Sequence, residues 1–176
     1  MESPRRDLLR WQFDLAWSFF EYHLERLEAE DFLWEPGPLC WTLHAQADGS
    51  WVPDWAESQP DPIPVPTIAW TSWHLGWWLG AALDRANGGA LRDPSEVEYP
   101  GIGDAAVDWL RTLGSQWRSL LDEIEDEALD APSLFPWPVE AERSLADMAG
   151  WVNAELMKNA AEIGTLRLLR ASATRP

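Results

Sequence analysis

Residues 67–78 read Thr67-Ile-Ala-Trp-Thr-Ser-Trp-His-Leu-Gly-Trp-Trp, which sets four tryptophans and His74 in a mostly apolar run. The run stays apolar nearly all round as far as Leu83, and a helix of that kind belongs in the interior of a protein. Thr67 can cap its first turn, and the Asn87-Gly88-Gly89 segment offers glycine for its end. The stretch therefore predicts a buried helix over residues 67–87.

Three further segments repeat apolar residues at helical spacing, over residues 7–28, 104–126 and 144–170. Ser144 with an aspartate three residues later resembles a capping box at the start of the last one. The four predicted helices indicate an all-α four-helix bundle as the simplest architecture. We expect residues 1–176 to form a single domain.

Residues 29–66 lose this periodicity and end in Gln59-Pro-Asp-Pro-Ile-Pro-Val-Pro66, where each proline disfavours helix. Isolated tryptophans are scattered through the segment. We expect a long ordered crossover between the first and second helices, pinned by these aromatic side chains. No strand pattern persists in it.

Composition excludes several classes of function. Thirty acidic against 13 basic side chains give a net charge of −17, which repels nucleic acid and anionic membranes alike. Cys40 is the only cysteine, so an intrachain disulfide is excluded. No signal peptide and no apolar run of about 18 residues is present, which predicts a cytoplasmic protein. The 14 tryptophans offer ample material for a core.

Polar residues interrupt the apolar stripe of the last helix. At 100° per residue, Asn159 falls within the stripe, Glu155 lies on its edge, and Glu162 continues the same row. A buried polar group without a partner costs about 1–3 kcal/mol, so a metal, His74 or an ordered water is expected to satisfy them. His74, set among tryptophans, should be neutral and able to bind a metal. The alternative is a core histidine that is simply hydrogen-bonded to Glu155 or to a backbone carbonyl.

Four segments in this order resemble the DinB/YfiT-like superfamily, in particular DinB-like domain proteins related to mycothiol-dependent metalloenzymes. They are Phe32-Leu-Trp-Glu-Pro-Gly-Pro-Leu-Cys-Trp41, Ala47-Asp-Gly-Ser-Trp-Val-Pro-Asp54, residues 67–75 and residues 153–164. The resemblance extends from about residue 7 to residue 170. It implies a DinB/YfiT-like four-helix bundle that is often a homodimer.

The resemblance also implies a divalent metal, such as zinc, nickel, iron or manganese, held between the second and last helices. His74 matches the family's first ligand position, and Glu155 and Asn159 would complete the set, with Glu155 also catalytic. Trp70, Trp77 and Trp78 would line the site of a low-molecular-weight thiol cofactor. Lys158 and Asn159 stand where the family carries histidines, so metal binding is expected to be weak or absent.

Two functions stay open on this basis. The first is a metal-dependent enzyme, a thiol-dependent transferase or isomerase with an altered metal site. The second is a non-catalytic member of the family that has lost the metal and binds a small apolar ligand or only dimerises. A fold shared with enzymes does not by itself establish activity. A third, weaker interpretation is a purely structural subunit of a larger assembly.

Overall fold

The structure, a computed structural model, describes residues 3–174. It is mostly helical, with a few short strands. The helices are α1 (Pro4–Leu24), a short α2 (Ala29–Phe32), α3 (Ile68–Ala86), α4 (Asp104–Glu123) and α5 (Leu145–Ala173). Short 3-10 turns lie in the connections around α4.

The first helix ends at Leu24, whereas the sequence predicts it to continue to residue 28. The helix does not continue to residue 28 because Glu28 and Asp31 form the capping box of the next helix, α2. In it, the Glu28 backbone N–H donates to Asp31 Oδ2 at 2.8 Å. The predicted capping box of the last helix is confirmed, since the Ser144 hydroxyl accepts from the Asp147 backbone N–H.

The four long helices pack around one core. α1 contacts α4 and α5, and α3 contacts the same two helices. α1 and α5 run in the same direction, because Asn153 donates to the Leu9 carbonyl near their beginnings and Gly164 packs on His23 further along both. The predicted burial of α3 is confirmed on all its faces, and Trp73, Trp78 and Trp117 are among the largest fully buried side chains. Within residues 3–174, no helix has the length and apolar character needed to cross a membrane.

The connection between α1 and α3 contains four short strands that the sequence did not predict. β1 (Cys40–Trp41) pairs in parallel with β4 (Val65–Pro66), and β2 (Leu43–Ala45) pairs antiparallel with β3 (Trp51–Pro53). Each strand has only two or three residues, which is too few for an alternating pattern to be recognised. The pairing holds this connection against the beginning of α3.

Candidate functional site

His74 belongs to a stack of three aromatic rings. The Trp70 ring lies against the imidazole at a centroid distance of 4.9 Å, and Trp41 of β1 stacks on the other side of Trp70 at 5.0 Å. The Trp70 indole also donates to the Asp54 carbonyl at 2.7 Å. The long connection therefore fixes the orientation of the histidine ring through Trp70.

The imidazole of His74 is held in its neutral form. Burial among the tryptophans and, to a smaller extent, the positive charge of Lys158 together lower its pKa from 6.5 to about 4. No described residue forms a side-chain hydrogen bond with His74, so the expected bond to Glu155 is not found among residues 3–174. A neutral imidazole without a hydrogen-bond partner in the protein can donate one hydrogen bond to a ligand and accept one from it.

Both ends of the Asn159 amide are hydrogen-bonded within the protein. It is 2% exposed, so the predicted burial of this polar side chain is confirmed. Its Oδ1 accepts from Trp78 Nε1 at 3.1 Å, and its Nδ2 donates to Glu162 Oε2 at 2.8 Å. The amide can have only this orientation, because an indole N–H only donates and a carboxylate only accepts.

The structure gives Asn159 two partners, Trp78 and Glu162. The sequence analysis expected a metal, His74 or an ordered water instead. A usable signal was present, because a buried indole N–H normally finds an acceptor. Trp78 also lies four residues after His74 and so on the same side of α3.

Glu155 is paired within its own helix. Its carboxylate lies 2.5 Å from the ammonium of Lys158, and about a fifth of the Glu155 side chain is exposed. The sequence placed Glu155 at the edge of the apolar stripe, and its half-buried position agrees with that. The positive charge of Lys158 therefore balances the negative charge of Glu155, the one residue that was predicted both as a metal ligand and as a catalytic group.

Beside His74 lies a cavity of about 520 Å³. Of the three tryptophans predicted to form a binding site, Trp77 and Trp78 line it, whereas Trp70 is not among its lining residues. The remaining wall comes from Trp151 of α5, from Leu91, and from the loop at residues 134–138, which contributes Phe135 and Trp137. The Trp151 ring meets the rings of Trp78 and Phe135 edge-on, each at a centroid distance of 5.3 Å. Sequence reasoning missed Trp151 and the loop.

The other two histidines lie outside this cavity. His44 of β2 is exposed and its Nε2 lies 2.9 Å from Asp54 Oδ1. His23 packs on Gly164 between α1 and α5, where burial and then the charge of Arg167 lower its pKa. His23 therefore packs between these two helices.

The residues present fit a divalent metal poorly. No group of three histidine, cysteine, aspartate or glutamate side chains that could hold a metal ion occurs within residues 3–174. The oxygen of Asn159 already accepts from Trp78, and the carboxylate of Glu155 is paired with Lys158. Of the three predicted ligands, only His74 has its donor atoms free of side-chain partners among the described residues. Metal binding stays a prediction.

A model of the DinB superfamily matches residues 12–163. The chain belongs to the DinB superfamily. The family predicted from four sequence segments is thereby confirmed over most of the chain. In this DinB-superfamily fold, the cavity lies between α3, α5 and the loop at residues 134–138.

A solved structure gives the same fold. The crystal structure of a conserved protein from Enterococcus faecalis is similar to this DinB-superfamily chain with a TM-score of 0.62 at 15% identity, and the match covers 93% of this chain and 95% of that one. At this identity the likeness is one of fold alone. None of the curated proteins matches the chain. The function has to be argued from the site itself.

Proposed function

We propose that this DinB-superfamily protein binds a small, uncharged, largely aromatic molecule in the cavity beside His74. One observation carries the proposal: four tryptophans, Trp77, Trp78, Trp137 and Trp151, line a single cavity together with a neutral imidazole. The volume of about 520 Å³ falls in the range of roughly 300–1,000 Å³ that is typical of sites for small molecules.

The lining restricts the chemistry of the ligand. None of the described residues that line the cavity is an aspartate, glutamate, lysine or arginine. An ionised ligand would therefore lose its hydration without gaining an opposite charge, which is costly in an apolar site. Aromatic walls favour a flat ligand that can meet ring faces and edges. His74 can satisfy one hydroxyl, carbonyl or amide group on such a ligand.

The arrangement of the helices and the cellular compartment are also part of this proposal. The contacts of α1 and α3 with α4 and α5 support a four-helix bundle in which the connection from α1 to α3 is the crossover. The lone Cys40 supports a reducing, cytoplasmic setting.

The competing proposal is a metal-dependent transferase or isomerase that uses a low-molecular-weight thiol, with His74, Glu155 and Asn159 as ligands. A bound metal would make such a thiol ionise at neutral pH. The neutral state of His74 favours this reading. The bonds that Asn159 makes to Trp78 and Glu162 argue against it, since they hold the amide in place and leave its oxygen only one lone pair for a metal.

A fluorescence titration tests the ligand-binding proposal. The probe is N-phenyl-1-naphthylamine, an uncharged aromatic dye, added to untagged protein. We expect saturable binding that weakens about fivefold in Trp137→Ala, because one aromatic wall contributes about 1 kcal/mol. Trp34→Ala is the matched control, since Trp34 is also half-buried but does not line the cavity. No saturable binding, or equal loss in both variants, would contradict the proposal.

Metal analysis of the same untagged protein separates the two functions. Stoichiometric metal that disappears in His74→Phe would support the metal-dependent enzyme and contradict a site built for an apolar ligand alone. Metal-free protein that still binds the dye supports our proposal. In Asn159→His, tighter uptake of zinc would indicate that the fold holds position 159 in the ligand geometry that the family resemblance implies.

A further inference from the structure

A second cavity, of about 380 Å³, lies between β3, α3 and the 3-10 turn Pro94–Glu96. Its volume also falls in the range of roughly 300–1,000 Å³ that is typical of sites for small molecules. It shares no lining residue with the cavity beside His74. The protein therefore has a second candidate site, and its lining has a different chemistry.

Three tryptophans line this second cavity: Trp51, Trp55 and Trp73. The ring planes of Trp55 and Trp73 are 77° apart with centroids at 5.8 Å, so the two rings form perpendicular walls. Trp73 is fully buried, whereas Trp55 is half exposed and borders the solvent. Trp51 is supported by the buried ring of Tyr99, which it meets edge-on at 6.2 Å. The rest of the apolar lining is Val52, Pro53, Pro94 and Val97.

Asp93 is the one charged residue among the described residues of the lining. Its Oδ1 accepts from the Ser95 hydroxyl at 2.6 Å and from the Ser95 backbone N–H at 2.8 Å. These bonds, that of the hydroxyl first, lower the pKa of Asp93, so its carboxylate is ionised at neutral pH. A carboxylate has about four lone-pair sites, and two bonds at Oδ1 leave room for a ligand.

No positive charge in the described lining balances that of Asp93. None of these residues is a lysine or an arginine. Arg92 precedes Asp93 in the chain, but its Nη2 lies 3.0 Å from Asp84 Oδ2, and Arg92 does not line the cavity. The net charge of −17 adds a negative potential from the whole protein. The second cavity therefore favours a cation and disfavours an anion.

The walls restrict the kind of cation. A metal ion of the calcium type takes six to eight oxygen ligands, and a primary ammonium is strongly hydrated. The side chains of the described lining offer oxygens only from Asp93 and Ser95. A methylated ammonium is different, because it presents methyl groups and is attracted by the faces of aromatic rings, with tryptophan the strongest.

We propose that the second cavity binds a small molecule that carries a methylated, positively charged ammonium group. The tryptophans surround the methyl groups, and Asp93 supplies the opposite charge. This site goes beyond the proposed function, since the cavity beside His74 has no charged residue in its described lining and takes an uncharged ligand. The two cavities are neighbours, because the Trp55 ring also meets Trp77 edge-on at 6.0 Å.

Isothermal titration calorimetry with choline chloride tests the proposal. The matched neutral probe is 3,3-dimethyl-1-butanol, which has the shape of choline but a carbon atom in place of the charged nitrogen. We expect saturable binding of one choline per chain, and binding of the alcohol that is at least about tenfold weaker. Absence of saturable choline binding, or equal binding of the two probes, would overturn the proposal.

Asp93→Asn removes the charge and should weaken choline binding about fivefold or more. Asparagine can still accept from Ser95 and cap the turn, so the fold should persist. Glu98→Gln is the matched control, since it changes the net charge equally at an exposed position that does not line the cavity. It should leave binding unchanged. Equal loss in both variants would show that only the overall charge matters, which contradicts a site at Asp93.

Trp55→Leu separates the aromatic ring from its apolar surface. Leucine keeps an apolar wall but has no ring, so choline binding should weaken about fivefold while that of the neutral alcohol changes little. Equal weakening of both probes would show that the ring does not attract the charge. That result would overturn the proposed role of the tryptophans.

Two further measurements locate the ligand. Trp137→Ala should weaken binding of the naphthylamine dye and leave choline binding intact, whereas Asp93→Asn should do the reverse, so either proposal can fail without the other. Loss of choline binding in Trp137→Ala would place choline in the cavity beside His74 and overturn the second site. Sedimentation with phosphatidylcholine vesicles tests a lipid headgroup as the source of the ammonium group. Binding to vesicles without binding of free choline would overturn the proposal of a small molecule.

Discussion

The indole of Trp78 on α3 donates to the side-chain oxygen of Asn159 on α5 at 3.1 Å, in the interior of the protein. The other end of the same amide donates to Glu162 at 2.8 Å. Asn159 thereby joins a cavity-lining tryptophan to a half-buried carboxylate. Asn159, one of the two residues expected to stand where the family carries histidines, thus has a partner for each end of its amide, and it supports the wall of the cavity.

Asn159→Asp should destabilise the protein in a pH-dependent manner. The variant keeps an acceptor for Trp78 but puts a carboxylate opposite Glu162 where an amide donated. Two neighbouring carboxylates raise the pKa of one of them, so the folded state holds a proton that the unfolded state releases. The stability of the variant should therefore fall as pH rises, by about 2–3 kcal/mol relative to wild type at pH 8 and by less near pH 5.

Urea unfolding of both proteins at several pH values measures this difference. Adding Glu162→Gln to Asn159→Asp removes one of the two negative charges and restores a donor, so it should recover most of the lost stability at pH 8. A constant difference between wild type and Asn159→Asp at all pH values would show that charge repulsion is not the cause.

His74 should make the wild-type protein less stable in mild acid. Its pKa is lowered from 6.5 to about 4, so between these values the unfolded chain binds a proton that the folded chain does not. The stabilisation from neutral His74 is complete above pH 6.5 and is lost as pH falls toward 4. At about 1.4 kcal/mol per pKa unit, the loss is on the order of 3 kcal/mol.

His74→Phe isolates this contribution, because phenylalanine fills a similar space without titrating. The difference in unfolding free energy between the two proteins removes the effect of carboxylates that titrate in the same range. We expect that difference to change in favour of the variant as pH falls from 6.5 to about 4. Parallel pH profiles would mean that His74 is hydrated, and the argument for a neutral imidazole in the cavity would fail.

Periodicity alone predicted the long helices, because each helix buries a continuous stripe of its own residues. The family was predicted from the resemblance of four sequence segments. Periodicity also placed Asn159 inside the core, since that position follows from angles along one helix. The strands at residues 40–66 could not be predicted, because segments of two or three residues leave no repeating signal. The cavity wall at residues 134–138 depends on how a proline-broken loop folds back on Trp151, which is a tertiary contact.

The outer side of α1 shows a second feature that the sequence pattern could not predict. Helical spacing alone puts Glu21, Glu25 and Arg26 on the side of residues 7–28 that faces away from the core. In the structure Glu21 turns toward Arg111 of α4, and Glu25 and Arg26 lie at or beyond the end of the helix. Leu8, Trp11 and Leu15 occupy the outer side instead. A helix that is apolar on two faces blurs the single periodicity on which such a prediction depends.

Gly76→Ala should destabilise the protein, although alanine favours helix by about 1 kcal/mol over glycine. A Cβ at position 76 would come within 1.8 Å of the Trp109 ring, which rests on the bare backbone of α3. The indole would have to move, and overpacking of this kind costs about 1–3 kcal/mol or more. Gly80→Ala is the control in the same helix, because a Cβ at position 80 would meet only the end of the Arg92 side chain, at 3.8 Å. We expect thermal unfolding to occur at a lower temperature in Gly76→Ala and at an equal or higher temperature in Gly80→Ala. Equal behaviour of the two variants would show that Trp109 does not pack on α3 at Gly76, and the position of α4 against the helix that carries His74 would need another explanation.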